Sequence, residues 1–284
     1  MHSCGQDWAV VVPLKGGPLA KSRLHLPRAA RAALADAFAR DTVAALAAGM
    51  PGAPVLVVTC DPDVARWVLA AGHAVVADPA AGLDAAVAAG VDAAHVAGAA
   101  RVAVVLGDHP ALRPHEVRAA LAAAGEHSAS VVPDADEQGT ALLALRAAAA
   151  GSVRTAFGAG SAAAHVRLGH HRLDLDLPGL RVDVDDAASL SAAVRIGLGP
   201  RSREALTHAS LPGVQATIHN IDPDGSGSAL LDDGLVVLVP PGAAVASGLR
   251  HLRVGQRVSV ELDEDGRAAT RVWVVGIGPG EDVR

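Results

Sequence analysis

The chain contains no tyrosine, and its aromatic share is only 2%. Its core must therefore be built from Leu, Val and Ala, and broad base-stacking surfaces are excluded. Lysine is nearly absent as well: of 24 cationic side chains only Lys15 and Lys21 are lysine, and the rest are arginine. The two cysteines, Cys4 and Cys60, fit neither a disulfide framework nor a Cys-x2-Cys metal site, so they read as free thiols in a reducing compartment. No run approaches the roughly 18 apolar residues of a membrane helix, and no charged segment leads into an apolar one at the N-terminus. These absences predict a soluble, cytoplasmic protein with no membrane partner. A net charge of −6 argues against bulk binding of nucleic acid.

What is present is 51% hydrophobic residues, ample for a large core. The first two thirds alternate apolar runs with helical stretches. Strands are expected at Val10–Val12, Pro54–Thr59, His73–Ala77, Val102–Leu106 and Ser130–Pro133. Helices are expected at Arg28–Ala47, Asp63–Leu69, Gly82–Ala97 and Pro114–Ala124. Near-continuous apolar strands separated by helices predict a parallel sheet covered on both faces, with ligands beyond the carboxyl ends of its strands. From Gln215 the pattern changes to short alternating strands: Ala216–Ile221, Gly227–Leu231, Leu235–Val239, Arg257–Leu262 and Ala269–Val275. Acidic turns such as Asp222-Pro-Asp-Gly225 separate them, which predicts a small all-β barrel of the OB type. The expected domains are 1–210 and 211–284, divided near Leu211-Pro212-Gly213.

The two lysines share one loop, Val12-Pro-Leu-Lys15-Gly-Gly-Pro-Leu-Ala-Lys21-Ser-Arg23-Leu24. A chain that otherwise uses arginine has kept two compact point charges together, which suits a phosphate group, or they are simply two solvated loop lysines. Asp108 follows an expected central strand in Gly107-Asp108-His109-Pro110, a natural position for a ligand of Mg2+ bridging substrate phosphates. The alternative is a turn or N-cap Asp before the helix at Pro114. His109 has no second His or Cys at metal-ligand spacing. Asp183-Val-Asp185-Asp186 ends a β-like segment, Leu180–Val184, so Asp183 and Asp185 share a side. One of them could complete a metal site with Asp108, or Asp185 or Asp186 could cap the helix near Ala187. Gly139-Thr140 and Phe157-Gly158-Ala159-Gly160-Ser161 offer backbone N–H groups and hydroxyls for an anion, or simply a helix cap. There is no P-loop, GxGxxG or Gly-x-Ser-x-Gly motif.

The lysine loop, taken with Val58-Thr59-x-Asp61-Pro62, Gly82-Leu83-x-Ala85-Ala86, Gly107-Asp108-x-Pro110-Ala111-Leu112, Pro133-Asp-Ala-Asp136, Gly139-Thr140, Phe157-Gly158-x-Gly160-Ser161 and Asp183-Val184-Asp185, resembles the phospholactate/phosphoenolpyruvate guanylyltransferases of coenzyme F-420 biosynthesis. The resemblance spans about residues 8–205 and departs from the family at two positions. Asp84 stands where the family usually has Asn, and His109 where it usually has Leu. It implies a Rossmann-like nucleotidyltransferase fold of the molybdenum-cofactor guanylyltransferase type, a three-layer α/β domain. It also implies GTP as donor, Mg2+ as cofactor and phosphoenolpyruvate or 2-phospho-L-lactate as acceptor. The Ala- and Arg-rich composition favours phosphoenolpyruvate.

Carried over by resemblance, Lys15, Lys21, Arg23 and Asp108 are catalytic and Asp108 with Asp185 holds the metal. Pro13, Lys15, Thr59, Asp61, Gly82 and Asp84 meet the nucleotide, and Thr140, Gly158 and Ser161 meet the acceptor. The C-terminal strands resemble a cold-shock barrel whose stacking positions hold His219, Asn220, Ala229 and Leu230 instead of aromatics. That reads as a module for packing or self-association, including a homodimer. The competing class is a nucleic-acid-binding barrel fused to an inactive transferase domain.

Overall fold

The computed structural model describes residues 7–15, 24, 28–209, 214–232, 234–243, 245, 249, 251–263 and 266–274. The chain divides into two compact units, Met1–Ala205 and Leu206–Arg284. The expected boundary at Leu211-Pro212-Gly213 lies outside the described residues, as do Lys21 and Arg23. No helix among the described residues is long and apolar enough to cross a membrane.

The first unit is built on a seven-stranded sheet ordered β3-β2-β1-β4-β6-β5-β7. Its strands are β1 (Trp8–Pro13), β2 (Val55–Thr59), β3 (Ala74–Ala77), β4 (Arg101–Val105), β5 (Ser130–Pro133), β6 (Thr140–Arg146) and β7 (His171–Arg172). All six residues of β1 are buried, because helices cover both faces of the sheet. On one face Val10, Val12, Val57 and Val105 join Val43 and Leu46 of α1 (Arg28–Gly49) and Val117 and Leu121 of α4 (Pro114–Gly125) in one core. On the other face Ala9, Val11, Val58 and Val104 pack with Val87 and Val91 of α3 (Leu83–Val96). The period-two alternation of β1 thus feeds two cores at once. Helix α3 lies so close to the sheet that a Cβ on Gly90 would collide with Val11.

The expected all-parallel sheet needs correction. β3, β2, β1 and β4 are parallel, but β6 runs antiparallel to both β4 and β5, so the sheet is mixed. The physical reason is the short connection from Pro133 to Thr140, which can close a hairpin but cannot carry a crossover. A second correction concerns Leu180–Val184. The chain forms a short helix, α6 (Pro178–Arg181), and then an irregular segment rather than a strand.

Strand order reverses direction between β1 and β4, the position at which an open α/β sheet leaves a crevice. The loops after those two strands carry Lys15 and Asp108. The other helices of this unit are α2 (Pro62–Ala70), α5 (Ser161–Arg167), α7 (Ala187–Ile196) and α8 (Pro200–Ala209), the last of which runs across the division between the units.

The second unit is a curled, five-stranded antiparallel sheet ordered β10-β9-β8-β11-β12. Its strands are β8 (Val214–Ile221), β9 (Gly227–Leu231), β10 (Val236–Val239), β11 (Arg257–Leu262) and β12 (Ala269–Val274). A parallel bridge between Leu238 and Ala268 brings the two edges together, as in an OB-type arrangement. Ala216, Ile218, Val237, Val258, Val260 and Val272 fill its interior. Trp273 is only 3% exposed, so it offers no face on which a base could stack.

Candidate active site

Beyond the carboxyl ends of β1, β2 and β4 lies an open cleft of about 830 Å³. Pro13, Lys15, Asp61, Gly82, Asp108 and Asp185, all singled out in the sequence, line it. Asp36 and Arg40 of α1 line it too. Both lie within the helix expected at Arg28–Ala47, one turn apart at i,i+4 spacing. The Arg40 Nε donates to Asp36 Oδ2 at 2.6 Å, and its guanidinium lies 4.8 Å from the centre of the Trp67 ring. Among the described residues the lining holds six carboxylates (Asp36, Asp61, Asp63, Asp78, Asp108 and Asp185) but only Lys15 and Arg40 as cations. An anionic substrate entering this cleft needs more positive charge than those two side chains supply.

Carboxylates converge at one point beside the cleft. Asp108, Asp183 and Asp185 each place a carboxylate oxygen within 4.8 Å of the others. Local structure explains how they meet. The Val184 N–H donates to the Asp108 carbonyl at 2.9 Å, and the fully buried Val184 side chain anchors the segment. Its neighbours Asp183 and Asp185 are thereby held beside the end of β4. On the other side, a Cβ at Gly107 would meet the end of the Leu14 side chain, so the loop into Asp108 packs closely on Leu14.

The Asp183 carboxyl is pushed up to about 6, first by burial and then by the negative charges of Asp108 and Asp185, with His109 acting in the opposite sense. A buried Asp183 carboxyl beside two further carboxylates is a donor set suited to a hard divalent cation, and the three fit one. Asp183 therefore joins the expected pair Asp108 and Asp185, and Asp186 takes the capping role. Its Oδ1 accepts the Ser189 N–H at 2.9 Å, at the start of α7. His109 is buried, with Nε2 3.7 Å from Asp108 Oδ1, and it is not part of the carboxylate group.

Several expected nucleotide residues turn out to shape loops. Thr59 is buried, and its Oγ1 accepts the Asp61 N–H at 3.1 Å. Asp61 caps α2, accepting the N–H groups of Asp63 and Val64 at 2.9 and 3.2 Å. Gly82 has φ 101°, a left-handed conformation that lets the chain turn into α3. Asp84 stands in the first turn of α3. Its Oδ1 accepts the Thr155 hydroxyl at 2.6 Å and the Phe157 N–H at 3.0 Å, tying the loop before α5 to the start of α3.

Thr140 and Ser161 do not line the cleft but form a polar cluster of their own. Their hydroxyl oxygens are 2.9 Å apart, and Thr140 Oγ1 is 3.0 Å from His165 Nδ1. β6 begins at Thr140, and its Leu142 pairs with Val105 at the end of β4, from which the loop to Asp108 departs. Gly158 and Gly160, at φ 129° and 69°, form the turn that delivers Ser161 to the start of α5. His165 was not singled out in the sequence, where a lone His on a short helix carries no signal.

The profile of the MobA-like NTP transferase domain matches residues 22–174. A phosphoenolpyruvate guanylyltransferase of Salinispora arenicola is 50% identical over 202 residues, which cover 69% of this chain and 92% of that protein. Another, of Streptomyces avermitilis, is 44% identical over 214 residues, covering 74% and 98%. A solved structure from Desulfovibrio desulfuricans G20, described as a candidate nucleotide-diphospho-sugar transferase, superposes with a TM-score of 0.55 at 19% identity. It covers 71% of this chain and 94% of its own, a likeness of fold alone. With the three-aspartate cluster at the sheet's switch point and relatives matched over nearly their whole length, the chain belongs to the MobA-like NTP transferases and, within them, to the phosphoenolpyruvate guanylyltransferase family.

Proposed function

We propose that this protein transfers the guanylyl group of GTP to the phosphate of phosphoenolpyruvate, giving enolpyruvoyl-diphospho-guanosine and pyrophosphate, in coenzyme F-420 biosynthesis. The observation that carries the reading is the Asp108–Asp183–Asp185 cluster in a chain 50% identical to a protein of that name. An oxygen of the acceptor phosphate attacks the α-phosphorus of GTP in line. The new P–O bond forms as the bond to the β-phosphate oxygen breaks, and pyrophosphate carries off the electron pair. No covalent nucleophile on the protein is required, so positioning and charge neutralisation carry the catalysis.

Lys15, Lys21 and Arg23 neutralise the triphosphate, and Pro13, Thr59, Asp61, Gly82 and Asp84 shape the nucleotide side of the cleft. Asp108, Asp183 and Asp185 hold Mg2+, which offsets negative charge on the phosphates when bound. Thr140, Gly158 and Ser161 receive the acceptor through hydroxyl and backbone donors. Being neutral, these donors do not compete with the lysines for the triphosphate.

The test is to incubate the protein with GTP, Mg2+ and either phosphoenolpyruvate or 2-phospho-L-lactate, following pyrophosphate release and product mass. Turnover with phosphoenolpyruvate supports the reading. Turnover with 2-phospho-L-lactate alone moves the acceptor, and turnover with neither overturns the assignment.

A further inference from the structure

His165 is fully buried on α5, and it makes a hydrogen bond at each ring nitrogen. The backbone N–H of Ala156 donates to Nε2 at 3.0 Å. An amide can only donate, so Nε2 carries no proton. Burial, reinforced by nearby His170, lowers the His165 pKa to about 4, against smaller opposing effects of Asp84 and the Ser161 backbone. The ring is therefore neutral near pH 7 and its single proton sits on Nδ1. That nitrogen is 3.0 Å from Thr140 Oγ1 and donates to it.

A count of hydrogens follows. Thr140 and Ser161 together own two hydroxyl hydrogens, but only one can lie between two oxygens 2.9 Å apart. With the Thr140 oxygen already accepting from His165, the other hydroxyl hydrogen of the pair has no acceptor among the hydrogen bonds of the described residues. Both hydroxyls are buried, Thr140 at 8% and Ser161 at 2% exposure, which makes an unmet donor costly. The same ring fixes the glycine turn. Ala156 is held by His165, while Thr155 and Phe157 on either side are held by Asp84.

We propose that His165 is the positioning residue of the acceptor pocket: by fixing Ala156 on one ring nitrogen and Thr140 on the other, it orients the Thr140–Ser161 hydroxyl pair as a hydrogen donor to the anionic acceptor. This rests on the reading above that Thr140 and Ser161 meet the three-carbon acid. A reversed tautomer would pit Nε2–H against the Ala156 N–H and turn the Thr140 hydroxyl back toward the ring.

The test is steady-state kinetics with phosphoenolpyruvate and GTP varied separately, on the wild-type protein, His165→Gln, Thr140→Val and the double variant. Glutamine can still accept the Ala156 N–H at the Nε2 position but has no donor at the Nδ1 position. The expected result is a KM for phosphoenolpyruvate raised about tenfold, as for one lost bond to a charged group, with the KM for GTP changed less than about twofold. The double variant should be no worse than Thr140→Val, because the histidine acts through the threonine. Equal rises in both KM values, an unchanged acceptor KM, or additive effects would overturn the proposal. An unaffected acceptor KM in Thr140→Val would remove the acceptor assignment itself while leaving the transferase reaction standing. Should His165→Gln fail to fold, nitrogen NMR of the wild-type protein decides instead. The Nδ1–H tautomer with a resonance that moves on adding phosphoenolpyruvate supports the role, and an Nε2–H tautomer overturns it.

Discussion

The two units use the same small, apolar vocabulary for opposite ends. In the first, the strands are buried on both faces and the carboxylates gather beyond their ends, where Asp108, Asp183 and Asp185 bring an oxygen each within 4.8 Å of the others. In the second, Asp224, Asp232 and Asp263 each meet hydrogen-bond donors. Asp224 Oδ1 accepts from Ser226, Asp263 Oδ1 accepts the N–H groups of Arg267 and Ala268, and Asp232 pairs with Arg257 at 2.9 Å. The shifts follow suit. Hydrogen bonds hold Asp224, Asp232 and Asp263 below the ordinary carboxylate range, whereas burial and like charge push Asp183 above it. Carboxylates satisfied by their own turns stabilise a fold, while carboxylates held together against repulsion are poised for a ligand.

The largest expected effect breaks this contrast at its sharper end. Asp183→Asn should lower guanylyl transfer by at least about a hundredfold, while Asp263→Asn should leave the rate within about twofold. Comparable losses in both variants would show that the division of labour is wrong. Chelation should act the same way: EDTA is expected to abolish turnover and added Mg2+ to restore it.

A smaller effect concerns stability in chelator. Burial and like charge push the Asp183 carboxyl up to about 6 from its ordinary 3.8, so its stabilising contribution is present below pH 4 and lost as pH rises through 6. Asp183→Asn should therefore melt higher than wild type at pH 8, by roughly 1 kcal/mol after allowing for solvent screening, and should lose that advantage at pH 4. Thermal melts at the two pH values check it, and a lower melting temperature at pH 8 would deny the repulsion. Smaller still for catalysis is a change inside the barrel. Val260→Ala, at a fully buried position, should destabilise the second unit by roughly 2 kcal/mol yet leave turnover within about twofold. A matching loss of activity would tie the barrel to the chemistry.

Much of this was legible in the sequence because burial on both faces writes itself as unbroken Val and Ala runs. β5 and β9 fall where the sequence puts them, and β1, β2 and β4 lie within two residues of expectation. β6 is not among the expected strands, because Gly139-Thr140 reads as a polar, glycine-rich turn, and the six residues from Asp134 to Gly139 are too few for a crossover to a parallel partner. The aspartates at 183 and 185 were visible as an i,i+2 pair. Which residue would cap α7 was decided only by the irregular path after α6. His165 had no signal at all, since its role depends on Ala156 and Thr140, which the fold brings to it from a loop and another strand.

The most direct test of the central claim is the mass of the product formed from GTP and phosphoenolpyruvate with Mg2+, for wild-type protein and Asp108→Asn side by side. The account predicts enolpyruvoyl-diphospho-guanosine and one pyrophosphate per product from the wild type, and neither from a folded Asp108→Asn. Equal product from both proteins would contradict it, since the end of β4 would then not be where the phosphates are held.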